Sequence, residues 1–223
     1  MAATNRTDDT TIPTPLNDLP PAYPARAAWG TATKLRAWQS AAIEQYFTEN
    51  PRDFLAVATP GAGKTTFALT AACRDLASHP HRRVFIVAPT SHLKVQWANA
   101  GADFGLHLEP EWSARDGMPH DMHGIVVTYQ QVASDPAALR HLADDGFVIF
   151  DEIHHAGAER AWGDSVFEAF ELAARRLSLS GTPFRSDTAA IPFVEYARDT
   201  DGIRRSRADY SYNYGDALRD GVV

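Results

Sequence analysis

Cysteine is nearly absent from this chain. Cys73 is the only one among 223 residues, which excludes an internal disulfide and any multi-cysteine zinc site. Long apolar runs are missing too: no stretch approaches the roughly 20 residues of a membrane helix, so no membrane partner is expected. The N-terminus shows no basic segment followed by an apolar core, so a secretory signal is not read and a cytoplasmic location is the expectation. Lysine is scarce, with Lys34, Lys64 and Lys94 the only three. The net charge is −7 and the pI about 5.7. Such a chain does not coat nucleic acid by bulk electrostatics, although a local basic groove remains compatible with it.

What is present describes a globular protein, with 44% hydrophobic and 22% charged residues and length for one large domain or two small ones. The stretch Asp53 to Thr66 organises the rest. Leu55 to Val57 read as a buried strand. Thr59-Pro60-Gly61-Ala62-Gly63 is turn material, with glycines where a side chain would block close approach. Lys64-Thr65-Thr66 then opens a good helix former. Together these make a phosphate cradle, in which loop N–H groups and a helix N-terminus face an anion. Lys64 would reach the β and γ phosphates of ATP, and the Thr65 hydroxyl would hold Mg²⁺. The pattern normally begins with glycine; here that position is Ala58.

The second strong signal is Phe147-Val-Ile-Phe-Asp-Glu-Ile-His-His155. Four apolar residues run into paired carboxylates, which places Asp151 and Glu152 at the carboxyl edge of a parallel strand, where ligands bind. Asp151 can serve the Mg²⁺ shell and Glu152 can polarise the attacking water. The bland alternative is a helix whose first turn favours acids.

Weaker signals lie between and around these two. Leu35 to Tyr46 has helical spacing and carries Gln39, whose amide offers the donor and acceptor that suit an adenine edge. Arg83 to Thr90 reads as a strand followed by a helix bearing Lys94. Thr90 either caps that helix or, with Lys94, binds a nucleic-acid phosphate. Gly124 to Gln130 reads as a third strand, with Thr128 and Tyr129 as loop-end contacts or helix caps. A helix follows around 136–142. Trp162 to Arg175 has helical spacing, and Leu177 to Arg185 reads as a strand ending in Ser180-Gly181-Thr182. Residues 198–207 read as irregular. Tyr210 to Gly215 is aromatic and polar, and a helical turn is expected over 216–220. His120 and His123 have HxxH spacing, but no complete carboxylate–histidine set accompanies them.

The order of these stretches resembles the first RecA-like domain of superfamily 2 helicases and translocases of the DExH type. The motifs are Leu-Arg-x-x-Gln39, Ala-x-Pro-Gly-Ala-Gly-Lys-Thr65, Ala-Pro-Thr90, Val-Thr-Tyr-Gln130, Asp-Glu-Ile-His154 and Ser-Gly-Thr-Pro-Phe-Arg185. Within that superfamily the chain is most similar to the branch containing the restriction subunits of type III restriction enzymes. The resemblance implies an α/β RecA-like P-loop NTPase domain, a mostly parallel sheet flanked by helices. It implies that Arg36 and Gln39 sit at the adenine, and that Pro60, Gly61, Ala62, Gly63, Lys64, Thr65 and Thr66 bind the phosphates. Thr65 and Asp151 would hold Mg²⁺, and Lys64, Asp151, Glu152 and His154 would form the catalytic set. His154 would link that set to Ser180 and Thr182. Pro89, Thr90, Lys94, Thr128 and Tyr129 would line a DNA or RNA track.

The expected layout is an N-terminal tail over 1–26, the RecA-like domain over 27–188, and a segment over 189–223 leading towards a second RecA-like domain missing from this chain. Such motors close two domains on one ATP, and Arg204-Arg205-x-Arg207 does not resemble the arginine-finger setting of the second. Three rivals stand beside this reading: a nucleotide kinase, for which no acceptor site or lid is evident, a nucleic-acid-independent remodelling ATPase, and a non-enzymatic module derived from a helicase domain.

Overall fold

The computed structural model describes residues 35–157, 160–182, 190–198, 202 and 204–222. The tail expected over 1–26, and Pro183 to Arg185 of the last motif, lie outside them. The elements are α1 (Ala37–Glu49), β1 (Asp53–Ala58), α2 (Lys64–Ser78), β2 (Val84–Ala88), α3 (Ser91–Asp103), β3 (Leu108–Glu109), β4 (Gly124–Thr128), α4 (Tyr129–Ser134), α5 (Pro136–Leu142), β5 (Phe147–Phe150), a 3₁₀ turn (Ile153–Gly157), α6 (Arg160–Phe170), β6 (Arg175–Ser180), β7 (Tyr196–Arg198), β8 (Arg204–Ser206), β9 (Tyr210–Tyr212) and α7 (Tyr214–Arg219).

Seven strands form one sheet in the order β3-β4-β2-β5-β6-β1-β9, and every neighbouring pair is parallel. A parallel sheet needs both faces covered, because each crossover helix lies on a face. That explains why β2, β4, β5 and β6 are buried at every position. Alternate residues of β1 serve opposite cores. Phe54, Ala56 and Ala58 join Trp38, Phe67, Trp97 and Ala217 on the α1–α2–α3–α7 face. Leu55 and Val57 join Val132, Leu139 and Val166 on the α4–α5–α6 face. No helix among the described residues is long and apolar enough to cross a membrane.

The amino ends of the strands are knitted by ion pairs. Asp75 is fully buried between Arg82, at 2.8 Å, and Arg175, at 3.1 Å. Arg176 forks onto both oxygens of Asp53, at 2.5 and 3.1 Å. These bonds account for one departure from expectation: the helix expected to run to Arg175 ends at Phe170, and β6 begins at Arg175. Two arginines that look solvent-facing are buried in a strand because each finds a carboxylate.

The segment from 189 onward also departs from expectation. Tyr210–Tyr212 adds a strand to the edge of the main sheet, parallel to β1. Asp209 fixes its entry, its carboxylate accepting the Leu55 N–H at 2.7 Å. The Asn213 side chain caps α7. Tyr210–Tyr212 therefore continues the main sheet beyond residue 188. Part of the stretch expected to be irregular is an antiparallel pair, β7 with β8.

Candidate nucleotide site

The loop after β1 turns back on itself at Gly61 and Gly63, whose φ values of 78° and 92° are left-handed and suit glycine. Gly63 has a second reason to lack a side chain, since a Cβ there would stand 2.6 Å from Gln39 Nε2. Ala58, where the pattern normally has glycine, is the last residue of β1 and has no left-handed φ. A methyl group costs nothing at that position.

Three nearby side chains take three consecutive loop carbonyls. Arg36 Nη1 donates to Gly61 O at 2.9 Å, Trp38 Nε1 to Ala62 O at 3.1 Å and Gln39 Nε2 to Gly63 O at 2.8 Å. On the other side, Thr59 N donates to Tyr212 O at 3.0 Å, and the Tyr212 ring stacks on Trp38 with centroids 5.2 Å apart. With these three carbonyls taken, Gly61, Gly63 and Lys64 are left to present their N–H groups. The first turn of α2 adds more, since a helix start has no internal acceptors for them.

Lys64 opens α2 and turns back over the loop. Its Nζ donates to Ala58 O at 3.0 Å and lies 3.2 Å from Glu152 Oε1. The other oxygen of Glu152 accepts the Gly181 N–H at 2.8 Å. Glu152 holds a left-handed φ of 45°, an unfavourable backbone for a non-glycine residue. His154 Nδ1 lies 3.3 Å from Ser180 Oγ and 3.5 Å from Glu152 Oε2. Burial pushes its pKa down, against the opposing pull of Glu152, so the ring is neutral at pH 7. Ser180 Oγ donates to Thr182 O at 2.8 Å. The ends of β1, β5 and β6 thus bring Lys64, Glu152, His154, Ser180 and Thr182 together.

Asp151 sits deeper. Burial, first, and the charge of Glu152 push its pKa up, while the Trp97 hydrogen bond and Lys64 pull the other way. Trp97 Nε1 donates to Asp151 Oδ2 at 2.9 Å, and Tyr129 OH donates to Asp151 O at 3.0 Å. Thr65 and Asp151 line one recess of about 210 Å³ with Leu93, Gln96, Trp97 and Ala100.

The residues expected to line a nucleic-acid track divide. Thr90 is exposed and caps α3, accepting from Leu93 N at 3.4 Å, and Pro89 is half-buried beside it. Thr128 is buried and caps α4 in a reciprocal box with Gln131. Lys94 is buried, its ammonium donating to Gln131 Oε1 at 3.2 Å. Tyr129 is 1% exposed. The side chains of Lys94 and Tyr129 turn into the domain rather than towards a track. Gln39 likewise is 2% exposed, with its oxygen accepting from Arg36 N at 2.8 Å. Away from the site, His123 is buried and its Nδ1 accepts from His107 N at 2.9 Å. Sequence reasoning gave no site role to Trp38, Trp97, Gln131 or Tyr212. Their types suit core packing as well as a polar contact, and only the fold shows which atoms their N–H and C=O groups meet.

The sequence model of the family described as "Type III restriction enzyme, res subunit" matches residues 32–185. An uncharacterized protein of Mycobacterium tuberculosis is 53% identical over 192 residues, which is 85% of this chain and 32% of that protein. One of Mycobacterium leprae is 52% identical over 193 residues, with the same coverage of 85% and 32%. The chain thus spans about a third of the length of the curated relatives it matches. Among solved structures, a nuclease-deletion mutant of the Type ISP restriction-modification enzyme LlaGI, in complex with a DNA substrate mimic, has a TM-score of 0.59 at 17% identity, covering 85% of this chain and 21% of that one. The Hef helicase domain of Pyrococcus furiosus gives 0.57 at 24%, covering 69% and 34%. The UvsW helicase of bacteriophage T4 gives 0.54 at 20%, covering 66% and 52%. The glycine loop, the paired carboxylates and the parallel sheet that carries them are those of a first RecA-like domain of superfamily 2, and the chain belongs to the family of type III restriction enzyme res subunits.

Proposed function

We propose that this chain is the ATP-binding N-terminal motor domain of a DExH-type helicase or nucleic-acid translocase, hydrolysing ATP on DNA in preference to RNA when joined to a second RecA-like domain. The carrying observation is the contact between Lys64 and Glu152 at 3.2 Å, over a loop whose Gly61, Ala62 and Gly63 carbonyls are each taken by a side chain of the preceding segment. A triphosphate in the cradle offers Lys64 a stronger anionic partner than a single carboxylate. Lys64 then leaves Glu152 Oε1, which is freed to accept a proton from the attacking water. Gly181 N keeps hold of Glu152 Oε2, so the carboxylate stays aimed. His154, neutral and within reach of Glu152 and Ser180, ties this change to the end of β6.

A hydroxyl and a carboxylate facing one recess form the hard-oxygen donor set that suits Mg²⁺. Thr65 and Asp151 would hold it, and when bound it neutralises charge on the phosphate oxygens. Arg36, exposed beside Gly61, and Gln39 are assigned to the base. Beyond its two protein bonds the Gln39 amide retains one N–H and one lone pair, the pairing that suits adenine. Thr90, Pro89 and the first turn of α3 are assigned to backbone phosphates, with Thr128, Lys94 and Tyr129 supporting from beneath. DNA is favoured because a similar solved structure is in complex with a DNA substrate mimic. A second domain is favoured because the relatives are about three times as long. It would supply arginine to the γ-phosphate.

Calorimetric titration with a non-hydrolysable ATP analogue tests the core of this reading. Lys64→Ala should abolish measurable binding that the wild-type chain shows; equal affinities would overturn the assignment. Phosphate release by the full-length protein, with and without DNA or RNA, separates a nucleic-acid motor from a remodelling ATPase.

A further inference from the structure

Asp151 is the carboxylate assigned above to Mg²⁺, yet its side chain is held by a group with no assigned role. Trp97 Nε1 donates to Asp151 Oδ2 at 2.9 Å from the second turn of α3. The indole is 3% exposed and part of the core between α3 and the sheet. The backbone around the carboxylate is fixed as well: Asp151 N donates to Val87 O at 2.9 Å and Asp151 O accepts from Tyr129 OH at 3.0 Å. The rotation of the side chain is left to set, and the Trp97 indole is the side chain that sets it, beside a backbone hydrogen bond from Glu152.

An indole suits this task for a chemical reason. It is a donor only, carries no charge and does not titrate in water. It can hold one carboxylate oxygen without neutralising the carboxylate, as a lysine would, and without competing for the metal, as a histidine would. With Oδ2 held by the indole, the carboxylate is kept against the recess that Asp151 and Thr65 share with Trp97, where its remaining lone pairs can meet a cation.

We propose that Trp97 is a positioning residue for the Mg²⁺ carboxylate, its indole N–H orienting Asp151 for the cation. This rests on the reading that Thr65 and Asp151 hold Mg²⁺. Partners that orient a metal ligand typically change metal affinity by roughly 10–100-fold when removed. Trp97→Phe keeps most of the ring volume and deletes only the donor. It should weaken the Mg²⁺ dependence of ATP-analogue binding by about tenfold or more, while the affinity measured in EDTA stays within about twofold.

The test is a Mg²⁺ titration of the wild-type chain and Trp97→Phe, each with a fixed ATP analogue, read by calorimetry. It is joined by ¹H–¹⁵N spectra of the wild type, in which the Trp97 indole resonance is assigned by its through-space contacts. That resonance should shift when Mg²⁺ joins the nucleotide and not when nucleotide is added in EDTA. A side chain that only fills the core would show no such Mg²⁺-specific shift, so the spectra decide even if the variant folds poorly. An unmoved indole resonance, or a variant with wild-type Mg²⁺ dependence, overturns the inference about Trp97 alone. If Mg²⁺ does not strengthen nucleotide binding in the wild type, the nucleotide-site reading fails first.

Discussion

The two ends of the same strands handle buried charge in opposite ways. At the amino ends, Asp75 has no exposed side-chain surface and is shared by Arg82 and Arg175, and Arg176 forks onto Asp53. Arg82 also reaches Asp145, at 3.0 Å. At the carboxyl ends, Lys64 is held by one carbonyl and one glutamate, and Glu152 sits in a left-handed backbone. Burying an ion carries a desolvation penalty wherever it happens. The amino-end network offsets it with several partners per charge, so no partner is easily exchanged. The carboxyl-end set leaves each charge with partners that a ligand can replace. Over-determined ion pairs mark architecture here, and exchangeable ones mark the site.

The sharpest way to break this contrast is at Asp75. Removing one partner of a buried pair strands the other charge and costs about 3–5 kcal/mol. Asp75→Ala removes the carboxylate partner of Arg175 and leaves Arg82 with Asp145 alone; it should cost about that much in urea unfolding, while the chain that remains folded binds the ATP analogue with wild-type affinity. A loss below about 1 kcal/mol would erase the distinction between the two ends.

Glu152→Gln should do the reverse. Turnover by the full-length protein falls by roughly 10²-fold or more, the scale of a lost general base, and stability moves by less than about 1 kcal/mol because the residue sits on strained backbone with few partners. Phosphate-release kinetics and urea unfolding of the same preparation check both halves; unchanged turnover would show that another group activates water.

The smallest expected effect is at Lys94. A lysine on a phosphate contributes about one unit to the salt dependence of DNA binding. Because the Lys94 ammonium is turned onto Gln131, Lys94→Met should leave that slope unchanged. Fluorescence anisotropy at several salt concentrations measures it, and a slope reduced by about one would put Lys94 on the track.

The glycine loop and the paired carboxylates were legible in the sequence because each is a strand running directly into its chemistry. Their meaning needs only local order and the rule that ligands sit at carboxyl ends of parallel strands. Legibility failed where meaning depends on a distant partner. Trp97 lies 54 residues from Asp151, and its pattern within α3 is that of any core tryptophan. Arg175 reads as the end of a helix because Asp75, which draws it into a strand, lies far earlier in the chain. Tyr129 reads from sequence as either a loop-end contact or a helix cap; the backbone enters α4 at that residue and its ring is buried. Tyr210–Tyr212 is too short for a period-two signal, and only β1 beside it makes it a strand.

That last strand has a consequence for how the molecule assembles. The edge of β1 is covered by residues about 154 positions later in the chain, so the phosphate loop stays unsupported on one side until the other strands of this sheet have been made. Contacts this distant close late and slow folding. Until they close, β1 presents an unpaired, apolar edge, the kind of surface on which chains stick to one another. Cutting the chain before Asp209 would therefore trade a tidy domain boundary for an aggregating one, and the piece least like a nucleotide-binding motif decides whether the motif survives its own synthesis.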